Sequence, residues 1–128
     1  MLLPDARVND ILEDAYVTGG DRECGLSTTI PVLSGGVYTN ITEPTAPSYA
    51  REDVLEGDWT VSGRAAQAVV QFPDPVDDMG VIVAWVLYQG GVATEAGVPA
   101  DTMRMTPGVI TDVQVTVRIE SPADLNSL

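Results

Sequence analysis

The chain has 128 residues, of which 45% are apolar, and it contains one cysteine, no histidine and no lysine. Its 19 acidic residues face six arginines, which gives a net charge of −13. The composition is typical of one folded domain, excludes catalysis by histidine or lysine, and disfavours nucleic acid and anionic membranes as partners. The acidity serves either solubility or docking to a basic protein surface.

The N-terminal segment is predicted to form the only long helix. Apolar residues recur with helical spacing from Val8 to Ala15, and polar residues occupy the opposite face. Pro4 and Asp5 suit a first helical turn, and Gly19-Gly20 ends the pattern. Residues 1–5 lack the features of a signal peptide, and the apolar run 81–88 is too short to span a bilayer, so we expect a soluble chain.

After the helix, short β-type segments alternate with turns. Pro31 predicts that the first of these segments, 29–33, is an edge strand or an irregular arm. The segment 80–89 is apolar on both faces, which predicts a central position in the fold. The strand candidates are 29–33, 37–42, 49–55, 59–61, 64–72, 80–89 and 113–119. We therefore predict a mainly β fold, a single β-sandwich (Ig-like or jelly-roll-like) with a short N-terminal helix and an extended arm. Its parts are a helix over 1–20, an arm or insertion over 21–36, the sandwich over 37–120 and a tail over 121–128.

No motif in the chain predicts an enzyme, a cofactor or a metal centre. Asp74, Asp77 and Asp78 form either a solvated turn or a cation site, since they lack the ordered spacing of an EF-hand loop. The acidic stretch 52–58 holds carboxylates that a glycosidase would use, but nothing in the sequence fixes a pair at the required separation. Cys24 has no partner for a disulfide within the chain and no histidine to activate it, so we expect a small buried or half-buried thiol.

An ordered series of short motifs resembles small virion proteins of tailed bacteriophages. The two motifs that carry most of the resemblance are Tyr-Ala-Arg at the start of a strand and Phe-Pro at the end of another. The full series is the helix 8–15, the strand 37–42 ending in Thr42-Glu43-Pro44, Ser48-Tyr49-Ala50-Arg51, the strand 65–73 ending in Phe72-Pro73, the apolar strand 80–88, the Pro107-Gly108 turn and the strand 113–119. The segment 20–36 departs from the pattern as an insertion, and Thr45-Ala46-Pro47 stands where these proteins have a glycine run.

This resemblance implies a non-enzymatic structural protein of the virion, made in the host cytoplasm. The class includes capsid decoration (cement) proteins, which bind the outer surface of the major capsid protein lattice and stabilise the shell. The partners it implies are the major capsid protein and copies of the chain itself, with a trimer around a local symmetry axis as one arrangement. The extra segment 20–36 is then expected to act as an arm that reaches a neighbouring subunit.

Two other virion functions remain open at this stage. A receptor-binding or carbohydrate-binding tail module, of the tail-fibre-like kind, would need exposed aromatic residues over a groove, for which Tyr38, Tyr49 and Trp59 are the candidates. A tail-completion or connector protein would form a ring in few copies per particle. The absence of shaft repeats favours a decoration protein over a complete tail fibre.

The predicted partner contacts lie in the arm, the first strand and the loop 42–47. The residues expected to contact a partner are Ile30, Val32, Leu33, Val37, Tyr38, Ile41, Pro44 and Pro47. Three residues are assigned to the fold instead: the Tyr49 ring and Trp85 to the core, and the Arg51 guanidinium to an internal pair.

Overall fold

The structure is a computed structural model, and the residues described are 3–73, 78–97, 103–104 and 111–118. The predicted fold class is confirmed at the level of a mainly β chain with antiparallel sheets and a short N-terminal helix. The helix is α1 (Asp5–Leu12), and the strands are β1 (Arg22–Ser27), β2 (Val32–Ser34), β3 (Val37–Thr39), β4 (Glu52–Val54), β5 (Thr60–Ser62), β6 (Ala65–Phe72), β7 (Val81–Ile82), β8 (Ala84–Gln89), β9 (Val92–Gly97), β10 (Met103–Arg104) and β11 (Thr111–Arg118).

The N-terminal helix begins at Asp5, in the turn that Pro4 and Asp5 predict, and its regular α-helical part ends at Leu12. Pro4 precedes α1 in an extended conformation, and its carbonyl accepts the N–H groups of Arg7 and Val8 at 3.0 and 3.1 Å. The chain continues after Leu12 as one π-helical turn over Glu13–Val17. This turn ends at Val17, and two residues later, at Gly19, a Cβ would collide with the carbonyl oxygen of Ala15. Helical spacing places the buried residues Val8, Leu12 and Tyr16 on one stripe against the core.

The first large sheet has the strand order β4-β1-β8-β9, with every pair antiparallel. This topology corrects the interpretation of 21–36 as an arm, because Arg22–Ser27 is a central strand of the sheet. Cys24 and Leu26 on this strand are fully buried, and Cys24 lies opposite Leu87 of β8. Only the part of the segment that follows β1 leaves the sheet.

β8 is buried on both faces, as its apolar pattern predicts. Trp85 and Leu87 point into the main core, whereas Val86 and Tyr88 belong to a second, smaller cluster on the opposite face. The predicted strand over 80–89 is interrupted at Val83, whose N–H donates to the carbonyl of Ser27 at 2.9 Å.

The second large sheet has the order β11-β6-β5, and β6 shows the alternation of a half-buried strand. Ala66, Ala68, Val70 and Phe72 face the core, and Val69 on the outer face is 64% exposed. The main core joins side chains of both sheets and the helix. In the described part of the chain, no helix is long and apolar enough to cross a membrane.

Candidate interaction surface

The strands β2 and β3 form a two-stranded hairpin, called here the 30–39 hairpin. Gly35 and Gly36 make the turn with φ of 61° and 83°, the left-handed conformation that a two-residue hairpin turn requires. The strands are shorter than the candidates 29–33 and 37–42, because Pro31 precedes β2 and Asn40, with φ of 58°, follows β3. β3 lies against β9 at the edge of the first large sheet.

The 30–39 hairpin exposes large apolar side chains. Ile30, Val32 and Leu33 are each exposed by about half (51%, 53% and 52%), and Val37 is 39% exposed. Exposed apolar residues gathered on one short segment are typical of interaction sites. Four of the predicted partner contacts are therefore exposed on this hairpin, with Val32 and Val37 on one face and Leu33 on the other.

The other four predicted contacts differ in their accessibility. Tyr38 and Ile41 are half-buried, because they pack on Val86 and Tyr88 of the second cluster. Pro44 is buried within the chain, which corrects its assignment as a partner contact, whereas Pro47 is exposed. The outer face of β8 thus holds the base of the hairpin in place.

Hydroxyl groups fix the hairpin to the end of β1. The buried Ser27 hydroxyl donates to the carbonyl of Thr29 at 2.6 Å and accepts the N–H of Thr42 at 3.2 Å. The Thr28 N–H donates to the carbonyl of Thr42 at 2.9 Å, and the Asn40 side chain donates to the carbonyl of Ile30 at 2.9 Å. The two chain segments that enter and leave the hairpin are therefore joined, so the surface is held in one orientation before any partner binds.

An ion-pair network, formed by Glu43, Tyr49 and Arg51, supports the chain directly after the hairpin. The Arg51 guanidinium donates to both oxygens of the Glu43 carboxylate, from Nε at 2.9 Å and from Nη2 at 3.0 Å. The Tyr49 hydroxyl donates to Glu43 at 2.7 Å and accepts the N–H of Leu26 at 3.0 Å. Arg51 thus occupies an internal pair, and Tyr49 is half-buried, with its ring packed against the main core.

The network lies close to β1 and β8 because β1 carries a glycine there. A Cβ on Gly25 would stand 2.9 Å from the Glu43 carboxylate and 3.0 Å from the Tyr49 hydroxyl. The Arg51 guanidinium also stacks on the ring of Tyr88, with its central carbon 3.5 Å from the ring centroid. The hydrogen bonds from Arg51 hold the pKa of Glu43 below its ordinary value, against the opposing effect of burial.

Replacing Glu43 by glutamine should destabilise the protein less at acidic pH than at neutral pH. Since the pKa of Glu43 is lower in the folded chain, its pairing stabilises fully above the unfolded pKa of about 4.3, and this contribution is lost as pH falls through the folded value. Denaturant titrations of the parent and of Glu43→Gln between about pH 7 and pH 2 measure the difference.

The control for this measurement is Asp53→Asn, which removes one carboxylate from an exposed position on β4. A difference between the parent and Glu43→Gln that stays constant over the whole pH range would contradict the role given to the Glu43 charge.

A second ion pair lies on the core side of the same sheet. Arg22 and Glu95 are 3.7 Å apart (Nε to Oε2), and their side chains are only 6% and 12% exposed. Glu95 also accepts hydrogen bonds from the hydroxyls of Tyr16 and Thr94, and the Arg22 guanidinium lies over the Tyr16 ring at 4.5 Å. Sequence reasoning missed this pair. The signal available was Glu95, the one charged residue between Asp78 and Asp101, whereas Arg22 stands between Asp21 and Glu23 and gave no such signal.

Cys24, Trp59 and Asp78 are described residues that the sequence offered for chemistry or ligand binding. Cys24 is buried, and burial raises the pKa of its thiol to about 12, so it stays protonated. Trp59 is 6% exposed and packs against Tyr16, so it offers no platform for a sugar ring. Among the described residues, no three acidic or cysteine side chains are grouped to hold a metal ion. Asp74 and Asp77 lie outside the described residues, while Asp78 is exposed and accepts the N–H of Gly80.

Comparison with known proteins gives no relative from which a function follows. No family model, curated protein or solved structure matches this chain.

Proposed function

We propose that this chain is a non-enzymatic structural protein of a tailed-bacteriophage virion, and that it is a capsid decoration protein. The observation that carries the proposal is the 30–39 hairpin, an exposed apolar element held rigidly on a strongly acidic chain. The order of sequence motifs shared with small phage virion proteins supports the same function. We further propose that the two large sheets form the β-sandwich, Ig-like or jelly-roll-like, that is expected for this class.

In this function the protein performs no chemical step. It binds the outer surface of the major capsid protein lattice, buries surface across subunit junctions and so makes the shell more resistant to internal pressure. The net charge of −13 keeps free copies soluble and directs them to basic regions of the capsid. The 30–39 hairpin contributes an uncharged contact within the lattice.

The state of the aromatic residues favours decoration over a carbohydrate-binding tail module. Trp59 is buried, Tyr38 packs on the second cluster, and the hydroxyl of Tyr49 is engaged with Glu43 and Leu26. None of these three rings stands free over a groove, as stacking on a sugar would require.

The copy number of the chain in purified virions, measured by quantitative mass spectrometry, tests this proposal. We expect a fixed stoichiometric ratio to the major capsid protein, together with a lower temperature of DNA release from particles stripped of the chain. The matched control is a tail protein of known low copy number in the same preparation. A copy number like that of the control would place the chain in the tail or neck, and its absence from virions would overturn the virion assignment.

A further inference from the structure

We propose that the 30–39 hairpin is a contact between two copies of this chain, with β2 of one copy pairing antiparallel with β2 of the other. The two strands meet at Leu33, and the twofold axis passes between the Leu33 residues of the two copies. This inference identifies the partner of the hairpin as a second copy of the chain. It rests on the proposed function in one respect, namely that the hairpin is an interaction surface.

The free edge of β2 provides the backbone groups for this pairing. β2 pairs with β3 on one side, and no strand in the described part of the chain pairs with its other side. The two-residue turn makes Ser34 and Val37 a hydrogen-bonded pair, so the alternation of an antiparallel ladder directs the N–H and C=O of Leu33 toward the open edge. Two copies related by a twofold axis through this position exchange two hydrogen bonds between their Leu33 residues.

Side chains on the hairpin extend this contact. Val32 on β2 and Val37 on β3 lie on one face of the hairpin, Leu33 lies on the other face beside Tyr38, and Val32, Leu33 and Val37 all have large exposed fractions. Proteins commonly protect edge strands with charged side chains, bulges or proline. β2 has no charged side chain. Of these protective features it has only a proline, Pro31, which directly precedes Val32 and limits how far the pairing between the two copies can extend.

The distribution of charge favours a second copy of the chain as the partner of the hairpin. From Cys24 to Thr42 the chain has no charged residue, which is its longest uncharged run, although the whole carries a net charge of −13. Val92 on β9, the strand that β3 contacts, is a further exposed apolar side chain (46% exposed). Two acidic copies can approach each other here without opposing carboxylates. A basic partner, by contrast, would find no carboxylate on the hairpin to recognise.

The charge of the two copies also predicts how their association depends on salt concentration. Association of two acidic copies strengthens as salt screens their repulsion, whereas docking of an acidic surface to a basic partner weakens. The contact is smaller than a standard stable interface, so we expect weak dimers in solution. Copies placed side by side on a lattice would meet at a much higher effective concentration.

Sedimentation equilibrium of the full chain tests the inference, over about 10 µM to 1 mM protein and about 0.05 to 1 M NaCl. We expect a monomer–dimer equilibrium that shifts toward the dimer as salt increases. Leu33→Glu should weaken association by about tenfold or more, because it places two like charges together at the axis. The matched control is Val69→Glu, which adds the same charge at the 64% exposed position on β6. Because this position lies outside the proposed contact, we expect the control to dimerise like the parent.

A mixture of two variants tests the position of the axis itself. Leu33→Glu and Leu33→Arg should each be monomeric alone at low salt, and their equimolar mixture should form a heterodimer, because Leu33 faces its own counterpart. Thermal unfolding of each variant checks that the fold is retained, which we expect for a side chain that is about half exposed.

Three results would overturn the inference: a parent chain that stays monomeric at every concentration and salt, a mixture that stays monomeric, or a trimeric mass. Failure of the proposed function gives a different result. A dimer that depends on Leu33, in a protein absent from virions, would leave the contact standing and remove the decoration role.

Discussion

Replacing Glu95 by alanine should lower the free energy of unfolding by about 3–5 kcal/mol, because it leaves the buried Arg22 charge without a carboxylate. Arg22 is already poorly satisfied: within the described part of the chain its buried Nε and Nη1 groups have no hydrogen-bond acceptor. Glu95 is the only carboxylate in an ion pair with Arg22 among the described residues. Chemical denaturation of Glu95→Ala and of the parent measures the loss.

The matched variant for this prediction is the double replacement Arg22→Met with Glu95→Leu. It removes both charges and fills the same space with apolar atoms, so we expect a stability within about 1 kcal/mol of the parent, or above it. Equal losses in Glu95→Ala and in the double variant would show that packing at this position matters more than the unpaired charge.

Replacing Gly97 by alanine should destabilise the protein by about 3 kcal/mol through overpacking. Gly97 on β9 lies opposite Trp85 on β8, and the indole ring covers it. A Cβ there would stand 2.5 Å from Cε2 and 2.9 Å from Nε1 of the Trp85 ring. Since Trp85 is only 5% exposed, the ring cannot move away without displacing its neighbours in the core.

Gly57→Ala is the control for this substitution, and urea denaturation of both variants is the measurement. A Cβ on Gly57 meets no atom within 4 Å, and the backbone there does not have a positive φ. We expect Gly57→Ala to be neutral or slightly stabilising, since alanine restricts the unfolded chain. If the two variants unfold alike, the Trp85 ring does not constrain Gly97 as described.

The parts of the fold that could be predicted from the sequence are those with a regular apolar pattern. The helical spacing of apolar residues from Val8 to Ala15 predicted the helix, and the run of small and branched residues over 64–72 predicted β6. β1 and β9 were missed, because Arg22–Ser27 and Val92–Gly97 contain glycine and charged residues that do not resemble strands. The burial of β1 comes from β4 and β8 on either side, and β9 lies against β8 at the edge of the sheet, so the position of both strands is a property of the sheet and not of the segment.

The candidate interaction surface, like the fold, could be predicted from the sequence only in part. The exposed apolar residues of the 30–39 hairpin were predicted as contacts from their position in an extra, proline-containing segment. The burial of Pro44 was not, because it depends on the packing of the chain that follows the hairpin. The Arg22–Glu95 pair could not be predicted either, since its members are brought together only by the alignment of β1, β8 and β9.

The position of β1 in its sheet has a consequence for how the chain folds during synthesis. Its two neighbours, β4 and β8, both lie downstream, and β8 comes far later in the chain. The apolar residues of β1 therefore remain without their partner β8 until residues 84–89 have left the ribosome. Folding dominated by such distant pairings is slow. The ribosome-bound chain, before β8 has emerged, is the stage at which this protein is most exposed to aggregation and to capture by chaperones.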